Sequence, residues 1–293
     1  MKCPVRVLLA ALSVAASLAR ADIVVTDDRG VRLRLDALAE RIVALAPSIT
    51  ELVYATGAGG KLVAVPRFSD YPPEAAALPL IGDASSIDIE RVLSLKPDLI
   101  IGWKSGNRLA DIARIERLGL RVLVIEPAAL SDLPRVLRMI GALAGTAPAA
   151  ENAARAFEDA VGALQARYAG ASTVRVFYEI WHQPLMTVNR QHMISDVIRL
   201  CGGENIFAAL PVLTPVVSLE AVIARRPAVV IGGGSAMSAE ELAALWRQHA
   251  NLAGLRDLPV VWIDPDSIQR QTPRVLRGAA AVCAALDTIR GTR

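Results

Sequence analysis

Seven short, continuously apolar runs punctuate the chain: RIVALAP, KLVAV, PDLIIGW, RVLVIEP, TVRVFYEI, PAVVIGG and LPVVWIDP. Turn residues flank each run, and stretches with helical apolar spacing separate it from the next. Strands that are apolar on both faces and alternate with helices belong to parallel sheets covered on both sides. The predicted class is α/β. Residues 147–170, rich in Ala, Glu and Arg, place Phe157, Val161 and Leu164 on one stripe. That spacing predicts a long amphipathic helix, a stiff connection instead of a flexible linker. The chain then divides into an N-terminal α/β lobe over 22–146, a linking helix over 147–170 and a C-terminal α/β lobe over 171–293.

One unit is written twice. IERVLSLKPDLIIGW, residues 89–103, returns as LEAVIARRPAVVIGG from Leu219. Glu90 and Glu220 correspond, as do Lys96-Pro97 and Arg226-Pro227, about 130 positions apart. The next strands close on Glu126-Pro127 and Asp264-Pro265. Two similar lobes facing each other account for this; independent use of a common helix–proline–strand idiom is the alternative. In each copy a capping residue, Asp88 or Ser218, precedes the helix, which puts the glutamate in its first turn. An acid there gains about 0.3–1 kcal/mol from the helix dipole, a sufficient structural reason by itself. Ile89, Val92 and Leu93 face the lobe, as do Leu219, Val222 and Ile223. Both glutamates therefore point outward, an arrangement that also suits docking onto a two-fold partner.

The ends change the reading of charge and cysteine. Residues 1–21 carry Lys2 and Arg6, then VLLAALSVAASLA and an Ala19-Arg20-Ala21 close, which predicts a signal peptide cut before Asp22. A membrane anchor is the alternative, but a span needs roughly 20 apolar residues and Arg20 interrupts the run. The formal charge of +3 equals the three basic residues of the leader, so the mature chain is close to neutral. Nothing in that balance invites nucleic acid or an anionic membrane. Cys3 leaves with the leader, and Cys201 and Cys283 remain. An even pair in an exported protein favours a disulfide, with two buried free thiols as the alternative. A bridge across that span contributes roughly 4–5 kcal/mol in the chain-entropy model.

Candidate binding residues sit where strands end. Trp103 follows an apolar run into the polar, Gly-flanked loop GWKSGN, where a wall of a ligand site competes with a core role. RFSDYPPEA, residues 67–75, places Phe68 beside polar turn residues. DPDSIQRQTPR offers Asp266 and Arg270 at the same kind of edge; a solvated loop with an ion pair is the alternative. Catalytic and metal-binding constellations do not appear. His182, His192 and His249 lack metal-ligand spacing, and IGGGS at 231–235 lacks the Lys-Ser/Thr of a phosphate loop. No G-x-S-x-G elbow occurs.

SDYPPEA, IERVLSLKPDLIIGWKSGN, CGGENIF, VSLEAVIARRP and RQTPR together resemble the periplasmic substrate-binding proteins of the iron–siderophore, haem and cobalamin ABC importers. The resemblance runs from about Arg41 to the end, and its more specific stretches match the cobalamin branch. It implies a class III binding-protein fold: two Rossmann-like lobes, each with a mostly parallel sheet, joined by one rigid helix. It implies a monomeric, periplasmic, non-enzymatic carrier without a cofactor of its own, holding a corrinoid between the lobes. Glu90 and Glu220 would meet arginines of a dimeric inner-membrane permease, and Cys201 and Cys283 would be bridged. The matching ligand positions are Phe68, Trp103, Asp266, Ser267, Ile268, Gln269 and Arg270. Several depart from the family pattern: Phe68 replaces a tyrosine, and Thr214, Ser267 and Ile268 stand where aromatics are expected. Trp181 and Met186 in IWHQPLMT are candidates for the missing wall. A haem or ferric-siderophore binder is the alternative, with His182 or Tyr71 as an axial ligand. A secreted hydrolase assembled from Ser48, His182 and Asp266 has nothing nearby to activate its serine.

Overall fold

A computed structural model describes residues 23–234, 237–252 and 254–292; the predicted signal peptide, residues 1–21, lies outside them. The chain opens with a hairpin, β1 (Ile23–Thr26) and β2 (Arg32–Leu35). The first lobe continues with β3 (Ile42–Ala44), α1 (Pro47–Ala55), β4 (Leu62–Ala64), the small pair β5 (Gly82–Asp83) and β6 (Ser86–Ile87), and α2 (Ile89–Ser94). It ends with β7 (Leu99–Trp103), α3 (Leu109–Arg117), β8 (Val122–Ile125) and α4 (Asp132–Ala144). Helix α5 (Ala147–Tyr168) leads into the second lobe. There follow β9 (Val174–Glu179), α6 (Met193–Leu200), β10 (Gly203–Asn205), α7 (Leu219–Ala224), β11 (Val229–Gly232) and α8 (Ala239–Arg247). Strand β12 (Val260–Trp262), the one-turn helix α9 (Pro265–Ile268) and α10 (Val275–Gly291) complete it.

All seven apolar runs form strands. Together with β10 they build two four-stranded sheets, β4-β3-β7-β8 and β10-β9-β11-β12, and every pairing in both is parallel. The two orders are the same topology, with the first strand of each lobe inside, the second at one edge and the last at the other. Consecutive connections therefore leave in opposite directions between β3 and β7, and again between β9 and β11. Such switch points open a crevice at the carboxyl ends of the strands. The β1–β2 hairpin, sequences IVVT and RLRL, and the edge strand β10, sequence GEN, went unread in the sequence.

The duplication extends to single hydrogen bonds. Arg41 Nη2 donates to the carbonyl of Leu95 at 2.7 Å, closing the end of α2. Arg175 Nη2 donates to the carbonyl of Arg225 at 2.6 Å, closing the end of α7. Basic side chains favour such positions because the last carbonyls of a helix lack partners. Just beyond, Lys96 has φ 47° and Arg226 has φ 45°. Both precede proline and both occupy the left-handed region, which costs about 1–3 kcal/mol at a non-glycine residue. A convergent idiom explains a shared sequence pattern; it does not explain a shared strand order, cap and kink.

Helix α5 joins the lobes physically as well as in sequence. It lies on α4 so closely that a side chain at Gly141 would place its Cβ 2.2 Å from that of Ala150. Ala154, Phe157 and Tyr168 of α5 belong to one apolar core that runs through both lobes. Tyr168 Oη donates to Asp287 Oδ2 at 2.9 Å, which fixes the far end of α5 to α10. The disulfide is present: Cys201 ends α6 and Cys283 lies in α10, with their Cα atoms 4.7 Å apart and a sequence separation of 82. It closes within the second lobe.

Candidate functional site

The crevice between the two switch points holds a cavity of about 780 Å³. Trp103 and Pro127 line it from the first lobe; Ile180, His192, Thr214 and Gln269 line it from the second. Trp103 ends β7 and is fixed from behind. Its N–H donates to Asn107 Oδ1 at 2.7 Å, while Asn107 Nδ2 donates to the carbonyls of Leu45 and Ala84. The indole lies on Gly106, where a Cβ would sit 1.8 Å from the ring. Its Nε1 is buried and has no hydrogen-bond partner among the described residues.

The equivalent of Trp103 in the second lobe is Gly233. A side chain there would bring its Cβ 2.1 Å from the carbonyl oxygen of Ile263. The backbone that follows β12 therefore leaves no room for a side chain at Gly233, and the second lobe has no counterpart of Trp103 at this position.

Phe68 stands 74% exposed with φ 67°. A bulky residue in the left-handed region is a strained one, and such strain persists only where its surroundings enforce it. Two contacts do so: Ser69 Oγ and Thr50 Oγ1 are 3.1 Å apart, and Asp70 Oδ1 accepts from Arg270 Nη1 at 3.0 Å. The loop is pinned on the side of Phe68 away from solvent.

The segment from Asp266 to Arg270 divides differently from the sequence expectation. It forms a helical turn capped by Asp264, whose side chain accepts from the N–H of Asp266. That turn rotates Ser267 and Ile268 inward. The Ser267 hydroxyl donates to the carbonyl of Asp264 at 2.7 Å, and Ile268 is in the core at 1% exposure. Gln269 remains on the cavity wall and donates to the carbonyl of Gly233 at 2.6 Å. Arg270 is engaged by three carboxylates: Asp266 at 2.9 Å, Asp70 at 3.0 Å and Glu51 at 2.9 Å.

Glu51, a residue the sequence reading did not single out, organises the contact between the lobes. It is 4% exposed, the single acid in the apolar helix α1. Arg274 Nη2 donates to Glu51 Oε1 at 2.7 Å, and Thr272 Oγ1 donates to Oε2 at 2.8 Å. An acid on a mostly buried helical stripe was the available signal, because such a group demands a partner. Leu130 and Asp196 add a second tie, with N–H to Oδ2 at 2.9 Å.

The histidines at this edge have different partners. His182 Nδ1 is 3.0 Å from Glu179 Oε1, and Trp246 Nε1 donates to Glu179 Oε2 at 2.6 Å. Burial pushes the Glu179 carboxyl upward, and these two hydrogen bonds act against that. His192 caps α6: its Nδ1 accepts from the N–H of Ile194, and burial lowers its pKa to about 4. Tyr71 is not on the main cavity. It lies under the guanidinium of Arg274, 4.5 Å from its ring centre, and lines a flanking cavity with Glu51 and Glu74. Trp181 is 53% exposed, pairs through a β-bridge with Met186 and lines a smaller cavity of about 420 Å³. No hydrolytic relay forms from Ser48, His182 and Asp266, since His182 pairs with Glu179 and Asp266 with Arg270.

Glu90 and Glu220 are exposed in the first turns of α2 and α7. Asp88 caps the first through the N–H of Arg91 and Ser218 the second through that of Ala221. Its own backbone N–H and then the Ser218 hydroxyl lower the pKa of Glu220. A helix feeding a parallel strand runs against it, so both N-termini lie at the crevice edge of their lobes.

Comparison with known proteins agrees with this geometry. The vitamin B12-binding protein of Vibrio parahaemolyticus is 35% identical over 254 residues, covering 87% of this chain and 92% of that protein. That of Pectobacterium carotovorum is 35% identical over 255 residues, covering 86% and 90%. The crystal structure of the periplasmic vitamin B12-binding protein of Vibrio cholerae superposes with a TM-score of 0.78 at 35% identity, over 86% of this chain and 98% of that one. A periplasmic haem-binding protein from Roseiflexus superposes with a TM-score of 0.71 at 25% identity, over 84% and 99%. These relatives are binding proteins, not enzymes. Residues 42–255 match the periplasmic binding protein family, and the chain belongs to it.

Proposed function

We propose that this chain is the periplasmic substrate-binding component of an ABC importer, and that it carries a corrinoid in the crevice to a dimeric inner-membrane permease. The observation that carries the reading is the unequal pair of walls, Trp103 stacked on Gly106 at one switch point and Gly233 at the other. A flat macrocycle entering edge-on is gripped on one side and slides over backbone on the other. Curated relatives that bind vitamin B12, at 35% identity over most of both chains, support the ligand class. Glu90 and Glu220, two exposed acids at equivalent places, are the docking points for a two-fold permease, and the carrier acts as a monomer. Mixing purified protein with cyanocobalamin and desalting tests the reading: a corrin spectrum co-elutes with the protein. If none does and calorimetry detects no heat, the reading fails.

A haem binder is the second reading, favoured by one observation: His182 lines the cavity of about 420 Å³, with its Nδ1 3.0 Å from the buried Glu179 carboxyl. A Soret band that persists after desalting, with no corrin retained, decides for it.

A further inference from the structure

We infer that His192 donates, through Nε2, to a carboxamide carbonyl on the rim of the bound corrinoid, and that the neutral groups around it select a carboxamide rim over a carboxylate one. The inference rests on the reading that a corrinoid occupies the crevice.

The first support is the ring itself. His192 lines the crevice at the start of α6. Its Nδ1 accepts from the N–H of Ile194 at 3.2 Å, so the neutral ring carries its hydrogen on Nε2. A proton added at Nδ1 would break the cap, and burial opposes the charged ring as well. Nε2, across the ring from the cap, makes no hydrogen bond among the described residues. The cap thus leaves on the cavity wall a neutral group that donates and cannot accept.

The second support is charge. The ionised side chains that line the same cavity are already engaged. Glu126 accepts from the N–H and the hydroxyl of Ser105, both at 2.8 Å. Asp196 accepts from the N–H of Leu130 and pairs with Arg199. Arg190 donates through Nε to the carbonyl of Ala208 at 3.1 Å. Two acids and two arginines cancel, and His192 adds nothing to either side. A carboxylate entering here meets no surplus of positive charge to offset the loss of its water.

The third support is the set of neutral side chains. Gln191, Thr214 and Gln271 line the cavity, and their side chains make no hydrogen bond among the described residues. Thr214 stands where the family pattern has an aromatic, so a hydroxyl replaces a stacking face. A glutamine amide offers both an acceptor and donors, and a primary carboxamide on the ligand offers the same in return. A carboxylate only accepts. It leaves the glutamine oxygens without a donor and sets them against its own charge.

The consequence is selectivity by the chemistry of the rim, independent of the metal. The test compares two corrinoids in their dicyano forms, where both axial positions are filled: cobinamide, whose side chains are all amides, and cobyrinic acid, the same ring with carboxylates. By calorimetry at neutral pH the wild type binds cobinamide about a hundredfold more tightly than cobyrinic acid. His192→Asn keeps an acceptor for the cap of α6 and is too short to present the donor. It binds cobinamide about tenfold more weakly, leaves cobyrinic acid unchanged and so narrows the ratio. A second measurement needs no variant. In protein carrying nitrogen-15 histidine, the ring of His192, assigned through its proximity to the Ile194 N–H, shows its hydrogen on Nε2, and that hydrogen becomes protected from exchange when cobinamide binds. Equal wild-type affinity for the two corrinoids, equal losses for both in His192→Asn, or no loss for either overturns the inference while corrinoid carriage stands. A bound complex with the hydrogen on Nδ1, or with an unprotected Nε2–H, overturns it in the same way. If the wild type retains neither corrinoid, carriage fails and the inference falls with it.

Discussion

Glu51 and Arg274, 223 positions apart in the chain, meet at 2.7 Å between Oε1 and Nη2 and form the centre of the contact between the lobes. Arg270 joins them, and both arginines are nearly enclosed, at 15% and 12% side-chain exposure. Removing one partner from such a group leaves the others charged and dry, which costs about 3–5 kcal/mol. Glu51→Ala should therefore lower the unfolding free energy, measured by urea titration, by an amount in that range. A double-mutant cycle with Arg274→Met should be strongly non-additive, because each change already breaks the same bond. Additive losses would show that the two residues act separately.

His192 gives the stability of the fold a pH dependence. Its pKa falls from 6.5 to about 4 in the folded protein. Above 6.5 neither state holds the proton, and its contribution to stability is complete. As pH falls from there to about 4, the unfolded chain binds a proton that the folded chain refuses, and stability drops by on the order of 3 kcal/mol. His192→Asn keeps an acceptor at the cap of α6 and should flatten this part of the curve, measured by urea titration at a series of pH values. An unchanged slope assigns the acid sensitivity to other groups.

Phe68 separates stability from binding. Glycine tolerates the left-handed conformation, so Phe68→Gly should raise the melting temperature slightly, by relief of about 1 kcal/mol. The same change removes an exposed ring that the family resemblance assigns to the ligand. Corrinoid affinity should fall about tenfold, the worth of one aromatic contact. A variant that is both more stable and equally tight would remove Phe68 from the site.

The paired glutamates should behave in the opposite sense to Phe68. Glu90→Ala with Glu220→Ala leaves ligand affinity untouched and abolishes most uptake in cells, since both residues are exposed at the crevice rims. Helix stability falls by only about 0.3–1 kcal/mol at each position. Undiminished uptake would leave these acids with helix stabilisation alone.

What the sequence made legible was periodic and local. Apolar runs located the two sheets, the repeat located the two lobes, and cap residues Asp88 and Ser218 located the helix starts. For Ser267 and Ile268, which the resemblance places among the ligand positions, the inward orientation was not legible: a proline-led segment reads as an open loop, while the cap at Asp264 winds it into a turn. Glu51 escaped because its partners are more than 200 positions away, and no local pattern encodes a pairing at that range. The absence of a second tryptophan was visible as Gly233, but its cause, the carbonyl of Ile263, is purely tertiary.

The matching kinks at Lys96 and Arg226 give this molecule a built-in reference. One precedes the strand that ends at Trp103, the other the strand that leads into the bare backbone of Gly233. Any substitution made at both sites meets the same dihedral angles, the same following proline and the same arginine-capped helix. Its effect at Arg226 measures the backbone cost alone. Subtracting that from its effect at Lys96 leaves what reaches the ligand through Trp103, a calibration contained within one chain.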